Sequence, residues 1–429
     1  MSPIPEHPLR FQLANELHAR PFPTVTVPSR VVYLALKPAH NAAARDREAD
    51  RRHLIALLDR HGTTHPQPGA THWFGQLGKH QLKWESHTEF VTYTMFSDGV
   101  ADRPFDPASF SVFPDDWLAD APAPRITSAL IRIELAPDDD GIVDKAHAWF
   151  VPESLALSRV LDNELVIGSD FRIDPAGHMR MAIWARPGIS ERRGGRVVQR
   201  LCEVETYKAM AMLGLARARD LGPRMGDLDQ QLTSLMADMS GQMAEPDQTL
   251  HALLSIAEAL ENMIAQSSFR FGATQAYETI VNQRIQVLRE ERFEGRQTFA
   301  EFMTRRFDPA MRTVHSTERR LQAMADRAIR AGDLLRTRVD VERSAQNQAL
   351  LASMDRRADL QLRLQRTVEG LSVVAISYYA LMLLLYLVRP LGERAGLTEA
   401  VSAAIAVPVV IAVVWFLVRR IRKGTEDGN

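Results

Sequence analysis

Two long uncharged runs near the carboxyl end constrain this chain more than any other feature of its sequence. The first covers residues 371–388 and the second covers residues 400–418. A helix rises about 1.5 Å per residue, so each run approaches the roughly 30 Å of hydrocarbon in a bilayer. The segment between them, residues 389–399, contains one proline and two glycines. The sequence therefore predicts a C-terminal two-helix transmembrane hairpin joined by a short external loop.

Basic residues on the outer flanks of the hairpin indicate its orientation. They are Arg356, Arg357, Arg363 and Arg366 before the first run, and Arg419, Arg420, Arg422 and Lys423 after the second. The loop contributes Arg389 and Arg394. Because Lys and Arg are enriched on the cytoplasmic side, we expect the N-terminal domain and the basic tail, residues 419–429, to be cytoplasmic. The opening residues contain no apolar signal segment, which agrees with a cytoplasmic N-terminal domain.

The composition is that of a folded protein and gives no sign of a nucleic-acid partner. Hydrophobic residues make up 45% of the chain and charged residues 24%, which is ordinary globular usage. The formal net charge is −1, whereas proteins that bind nucleic acid normally present a basic surface. Cys202 is the only cysteine and cannot form an intramolecular disulfide, which agrees with a reducing compartment.

Strand-like segments alternate with loops before residue 190. They are rich in β-branched and aromatic residues, and they cover Val31–Lys37, Gln81–Glu85, Thr88–Phe96, Ile126–Leu135, Glu164–Asp170 and Met179–Ala185. A helix with a leucine stripe is expected over Ala42–Arg60. Residues 1–190 are therefore predicted to form an α+β cytoplasmic domain with a mainly antiparallel or mixed sheet.

The strand signal disappears after residue 190, and residues 191–308 are predicted to form a helical domain. Its candidate helices are Gly195–Asp220, Arg224–Met243, Asp247–Ser267, Thr274–Phe293 and Gln297–Phe307. Asp308 and Pro309 then form a helix-start signal. The next proline is Pro390, so one very long stalk helix is expected over residues 309–370, continuing through the first span. Its narrow apolar stripe is typical of a coiled-coil stalk or of a helix that lines a pore.

Four segments resemble an uncharacterised bacterial family of predicted membrane-anchored proteins, known as a domain of unknown function. They are Glu16–Phe22, Trp84–Phe90, Gly195–Leu201 with Glu203–Tyr207, and Gly370–Tyr379. The resemblance covers nearly the whole chain and implies no particular activity.

The architecture also resembles that of the CorA-type divalent-cation channels, with residues 361–386 similar to their stalk-to-pore segment. This likeness implies a homo-oligomer, a pentamer in that superfamily, in which the long helix lines a cation pore. Those channels end the first span with a Gly-x-Asn filter, whereas this chain has Tyr386, Leu387, Val388 and Arg389 there. No filter residue can therefore be transferred to this sequence.

A pore without that filter would need other oxygen ligands. Ser372, Tyr379 and Tyr386 are seven residues apart and share one helix face, which makes them candidates to line the pore. Tyrosine at a span end and serine between spans also have ordinary roles at the lipid interface and in packing. Glu393 and Glu399 in the loop are candidates to concentrate cations at the mouth of such a pore.

A candidate metal site lies in the N-terminal domain. Glu85, His87 and Glu89 alternate along a predicted strand and would project from one face, where they are candidate ligands for a divalent cation. A solvated strand face with cross-strand ion pairs explains the same pattern.

Three functions are compatible with these patterns. The first is an oligomeric inner-membrane protein that transports cations through a pore lined by the first span. The second is a membrane-anchored scaffold or regulatory protein that acts through its cytoplasmic domain without transport. The third, a membrane-tethered enzyme, is not expected, because the sequence has no phosphate-binding loop, nucleophile elbow or His-Glu-x-x-His motif and we assign no catalytic residue.

Overall fold

The structure, a computed structural model, describes residues 4, 6–16, 22–136, 138–239, 246–394 and 398–426. It contains two compact units, residues 1–332 and residues 333–429. The predicted α+β class with an N-terminal sheet domain, a very long helix and a C-terminal helix is confirmed. The predicted boundaries at 190/191 and 308/309 both lie inside the first unit.

A nine-stranded sheet forms the centre of the first unit. Its strands are β1 (Ser29–Leu36), β2 (His72–Leu77), β3 (His80–Ser86), β4 (Val91–Asp98), β5 (Arg125–Leu135), β6 (Ala156–Val160), β7 (Leu165–Ser169), β8 (Met179–Ala185) and β9 (Glu291–Arg292). The strand order is β2-β3-β4-β1-β5-β8-β7-β6-β9. The neighbours β5 and β8 are parallel, and the other pairs are antiparallel. The sheet is therefore mixed, as predicted.

Side chains alternate between the two faces of this sheet, and most strands contribute to a buried core on each face. Val32 and Leu34 of β1 belong to one core, together with Trp84 and Trp184. The helices of this first face are α2 (Arg47–Asp59), α3 (Asp115–Ala119) and α4 (Asp140–Trp149). The second face is covered by a long helix, α5 (Glu191–Met239). Both faces are buried, which explains why most strands read as nearly continuous apolar runs.

Two further helices complete the first unit. They are α6 (Pro246–Gln286), which packs along α5, and α7 (Phe299–Arg306). The predicted breaks near residues 220–224 and 267–274 are wrong, because α5 and α6 continue through them. Pro223 lies inside α5, where a proline costs about 3 kcal/mol. Leu221 and Met225 on either side of it are buried, and their burial offsets part of that cost.

Two glycines of α5 allow other chain segments to approach its backbone closely. A Cβ atom on Gly195 would lie 1.8 Å from the carbonyl oxygen of Pro23, whose segment crosses the helix there. A Cβ atom on Gly214 would lie 2.3 Å from the hydroxyl of Thr274 on α6. Both positions therefore need a residue without a side chain.

The remaining helices are α1 (Arg10–Glu16), α8 (Asp308–Arg394) and α9 (Glu399–Glu426). The predicted long helix is confirmed as α8, and it extends past the predicted end of the first span into the segment predicted as a loop. Two helices are long and apolar enough to cross a membrane. No residue in the most apolar window of α8 is buried, and only 11% of the corresponding window of α9 is.

Candidate functional site

A cleft between the second face of the sheet and α5 is lined by both polar and aromatic side chains. Its lining brings together two segments that are far apart in sequence, one at β3 and β4 and one in the first five turns of α5. These residues are Pro23, Tyr33, Lys83, Glu85, His87, Phe90, Thr92, Thr94, Phe96, Gln199, Cys202, Glu203, Thr206 and Tyr207. The free space is about 20 Å³, which is roughly the room that one water molecule needs.

A chain of ion pairs and hydrogen bonds crosses this cleft from the sheet to α6. The Lys83 ammonium lies 3.1 Å from the Glu85 carboxylate and donates to the Gln199 side-chain oxygen at 3.0 Å. Gln199 donates to Glu203 at 2.8 Å, and Arg284 donates to the other oxygen of Glu203. Lys83 is 4% exposed, so losing the Glu85 carboxylate would leave a buried charge uncompensated.

The side-chain periodicity of strands and helices explains why these side chains face the cleft. Lys83 and Glu85 are two residues apart on β3 and therefore point to the same face of the sheet. Gln199 and Glu203 are four residues apart on α5 and occupy one face of that helix. Glu85 was predictable from the sequence as a candidate site residue, but the other members were not, because their contacts cross between elements that are distant in sequence.

A second polar group lies deeper in the same cleft. The Tyr33 and Thr206 hydroxyls are hydrogen-bonded to each other, and the Thr206 hydroxyl also donates to the Cys202 carbonyl at 2.9 Å. Burial raises the pKa of the Tyr33 phenol and, in the same way, the pKa of the Cys202 thiol. Because the thiolate is the nucleophilic form of cysteine, Cys202 is poorly suited to covalent chemistry.

An aromatic cluster lies at the rim of the cleft and is held in position by the buried carboxylate of Glu89. Glu89 is 1% exposed, accepts from Arg270, and accepts from the Tyr277 hydroxyl at 3.3 Å. His87 stacks on Phe90, with ring centroids 4.3 Å apart. Burial, followed by the negative charge of Glu89, raises the pKa of Tyr277. This arrangement fixes the turn between β3 and β4 against α6.

The three predicted metal ligands do not form one ligand set. β3 ends at Ser86, so only Glu85 lies on a strand, while His87 and Glu89 lie in the following turn. Glu85 pairs with Lys83, and Glu89 pairs with Arg270. Among the described residues, no group of three or more His, Cys, Asp or Glu side chains is placed to hold a metal ion.

The predicted pore-lining residues all lie on α8 and are exposed in the single chain. Tyr379 is 68% exposed and Tyr386 is 67% exposed, and Ser372 is also exposed. Glu393 lies near the end of α8 and Glu399 begins α9, but their side chains lie outside the described part of the structure, as do residues 17–21 of the first family-like segment.

Comparisons with known proteins place the chain in a family. No curated protein and no solved structure matches it, so the resemblance to CorA-type channels rests on the order of the elements alone. Residues 5–425 match the family described as "Protein of unknown function (DUF3422)". This match covers nearly the whole chain, and the protein therefore belongs to the DUF3422 family.

Proposed function

We propose that this protein is a membrane-anchored regulatory or scaffold protein that acts through its N-terminal unit. In this proposal the apolar segments of α8 and α9 cross a bacterial inner membrane as a hairpin, and the N-terminal unit and the C-terminus are cytoplasmic. The observation that supports the anchor is the exposure of the apolar residues on both helices. Leu383 and Leu387, for example, are 70% and 74% exposed, and an apolar surface of this extent is rare on a water-soluble monomer.

The chemistry of the two units supports a binding role for the first. The cleft between the sheet and α5 contains buried ion pairs, hydroxyls and stacked aromatic rings, whereas the two apolar runs contain no charged residue. The ionised groups named in the cleft are paired, and burial keeps the Cys202 thiol protonated. A cleft of this kind is suited to recognising a polar group rather than to attacking one.

Self-association of the chain is part of this proposal. Five apolar residues of α8 lie at positions connected by alternating steps of four and three residues, and all are more than half exposed: Leu350, Met354, Leu364, Val368 and Leu371. Arg357 and Gln361 occupy the intervening positions of the same stripe. A stripe with this repeat is buried when parallel copies of a helix associate, and insertion of every copy in the same orientation would make the copies parallel.

A topology measurement tests the anchor. Reporter enzymes active only in the cytoplasm or only in the periplasm are fused after Glu426, within residues 389–399, and before the N-terminal unit. We expect cytoplasmic activity at both ends, periplasmic activity at the central position, and retention of the protein in membranes after alkaline extraction. Release by alkali, or opposite sides for the two ends, would contradict the hairpin.

A cation channel is the second candidate, favoured by the hydroxyl-bearing face of α8. Ser372, Tyr379 and Tyr386 are exposed along one line of the helix, and their oxygens would replace part of an ion's hydration shell if copies of α8 enclosed a pore. Glu393 and Glu399 would then lie near its mouth. This function requires a closed ring of copies, whereas the regulatory function does not.

A further inference from the structure

The start of α5 and the end of α6 form a cluster of arginines outside the cleft. Arg193, Arg196 and Arg200 repeat at spacings of three and four residues and therefore share a face of α5. Arg284 lies in the last turn of α6, and Arg289 follows that helix. The hairpin between β6 and β7 adjoins the same place, since the Leu161 amide donates to the Leu288 carbonyl at 3.3 Å.

Three of these five arginines have a carboxylate partner. Arg193 pairs with Glu164, Arg284 pairs with Glu203, and Arg289 pairs with Asp162 at 2.8 Å. The five guanidinium charges exceed the three carboxylate charges by two, and the two uncompensated positive charges are those of Arg196 and Arg200. Arg200 donates to the Val287 carbonyl at 3.3 Å, and no ion pair joins either residue to a carboxylate within the described ranges.

The two surplus charges are close enough to disfavour each other. Both side chains are half-buried, which weakens the screening of their repulsion by water. Burial, and then the charge of Arg196, lowers the pKa of Arg200. The Glu203 carboxylate opposes this shift, and the charges of Arg284 and Arg289 add to it. An arginine remains charged at neutral pH even so, and the cluster therefore lacks about two negative charges.

We propose that this cluster binds a phosphate-type dianion, with Arg196 and Arg200 as its principal ligands. A guanidinium group presents planar, paired N–H donors that match phosphate oxygens, and such charge-assisted bonds are about twice as strong as neutral ones. A dianion would supply the missing charge without disturbing the three existing ion pairs. The phosphate belongs either to a small soluble compound or to a lipid headgroup. This proposal does not depend on the membrane anchor. A topology result that contradicts the hairpin would not contradict the phosphate site, and a failed phosphate titration would not contradict the anchor.

The test is a binding titration of the full-length protein in detergent, with inorganic phosphate added at constant ionic strength. We expect a dissociation constant below about 1 mM, and a loss of at least about tenfold for Arg196→Gln and for Arg200→Gln, the loss expected if each removes a charge-assisted bond. Arg219→Gln, an exposed arginine on the same helix, is the matched control and should bind normally. Unchanged affinity in the Arg196→Gln/Arg200→Gln double variant would overturn the proposal.

A second measurement separates a ligand site from a structural arginine. Without phosphate, Arg196→Gln should unfold at the same temperature as the parent protein or higher, because it removes repulsion. With phosphate, only the parent and the Arg219→Gln control should gain stability. A lower unfolding temperature for Arg196→Gln without phosphate would contradict the surplus of charge.

The source of the phosphate is distinguished by competition. A water-soluble short-chain phosphatidic acid should displace bound phosphate at a concentration at least about tenfold below that of glycerol 3-phosphate if the natural ligand is a lipid headgroup. Equal or weaker competition by the lipid would assign the site to a soluble phosphate compound. Failure of both compounds to compete would contradict a phosphate site.

Discussion

At the scale of single residues, Glu290 has a pKa shift that links the stability of the first unit to pH. It lies just before β9, and its carboxylate accepts from the Ala300 amide in the first turn of α7 at 2.8 Å. The hydroxyls of Ser158 and Thr298 also favour its charged form, but burial outweighs them and raises the pKa to about 7. The folded protein therefore binds a proton at Glu290 over a pH range in which the unfolded chain does not.

This shift predicts a pH-dependent stability. A carboxyl group with a raised pKa contributes stability below its unfolded value of 4.5, and that contribution is lost as the pH rises to about 7. Glu290→Gln keeps the acceptor for Ala300 and removes the charge. We expect the variant to gain about 1–3 kcal/mol over the parent between pH 5 and pH 8, measured as the difference in unfolding temperature of the detergent-solubilised proteins.

The exposed neighbour Glu291 provides the control for this prediction. Glu291→Gln should differ from the parent by a constant amount across the same pH range. A constant difference for Glu290→Gln as well would show that its pKa is not raised in the folded protein.

At the scale of elements, the crossing of the Pro23 segment over α5 gives a prediction with a matched control. Gly195→Ala puts a methyl group into the backbone of that segment, so we expect a loss of about 1–3 kcal/mol in the free energy of unfolding. Gly226→Ala lies on the same helix with no atom within 4 Å of the added Cβ. It should raise stability by about 0.5–1 kcal/mol.

Denaturant unfolding of the two variants checks this prediction, because they differ only in what surrounds the added methyl group. Stabilisation in both would mean that the Pro23 segment moves away from α5 at little cost.

Most of the central strands were predictable from the sequence, because β1, β4, β5 and β8 are apolar and buried on both faces. The strands that were not predicted are β2, β6 and β9, and they lack this continuous apolar pattern. β2 is broken by Gly75 and partly exposed, β6 contains Ser158 and Arg159, and β9 has only two residues.

The polar cleft was less predictable than the sheet, for a physical reason. Its contacts join residues separated by 116 positions, as in the bond between Lys83 and Gln199, or by 181 positions, as between Glu89 and Arg270. Local periodicity indicates which face a residue occupies but not which distant element covers that face. Glu85, His87 and Glu89 were thus recognised as polar and neighbouring, while the partners of Glu85 and Glu89 came from the packing of α5 and α6.

At the scale of the whole molecule, the number of associated copies decides between the two candidate functions. Native mass spectrometry of the full-length protein in detergent measures that number directly. A closed pentamer would support the channel, and cation flux into liposomes should then fall in Tyr379→Leu and Ser372→Leu. Tyr378→Leu is the control, since Tyr378 is 60% exposed but lies about 100° further round the helix.

A dimer would leave too few helices to enclose a pore and would favour the regulatory function. A monomer would exclude the pore as well, but it would also contradict the self-association proposed for α8. A pentamer without flux would retain the assembly and exclude transport of the ions tested, which are Mg²⁺, Zn²⁺, Co²⁺ and monovalent cations. Equal loss of flux in all three variants would assign these side chains to packing.

The pairing of β9 with β6 has a consequence for synthesis on the ribosome. β6 begins at residue 156, but its outer edge has no partner strand until residues 291–292 have been synthesised. The residues of α5, which covers the second face, are synthesised between these two strands. Translation must therefore continue through nearly all of the first unit before the sheet has its full complement of strands. The first apolar run, residues 371–388, is translated after this point, so every strand of the sheet has been synthesised before that run leaves the ribosomal tunnel.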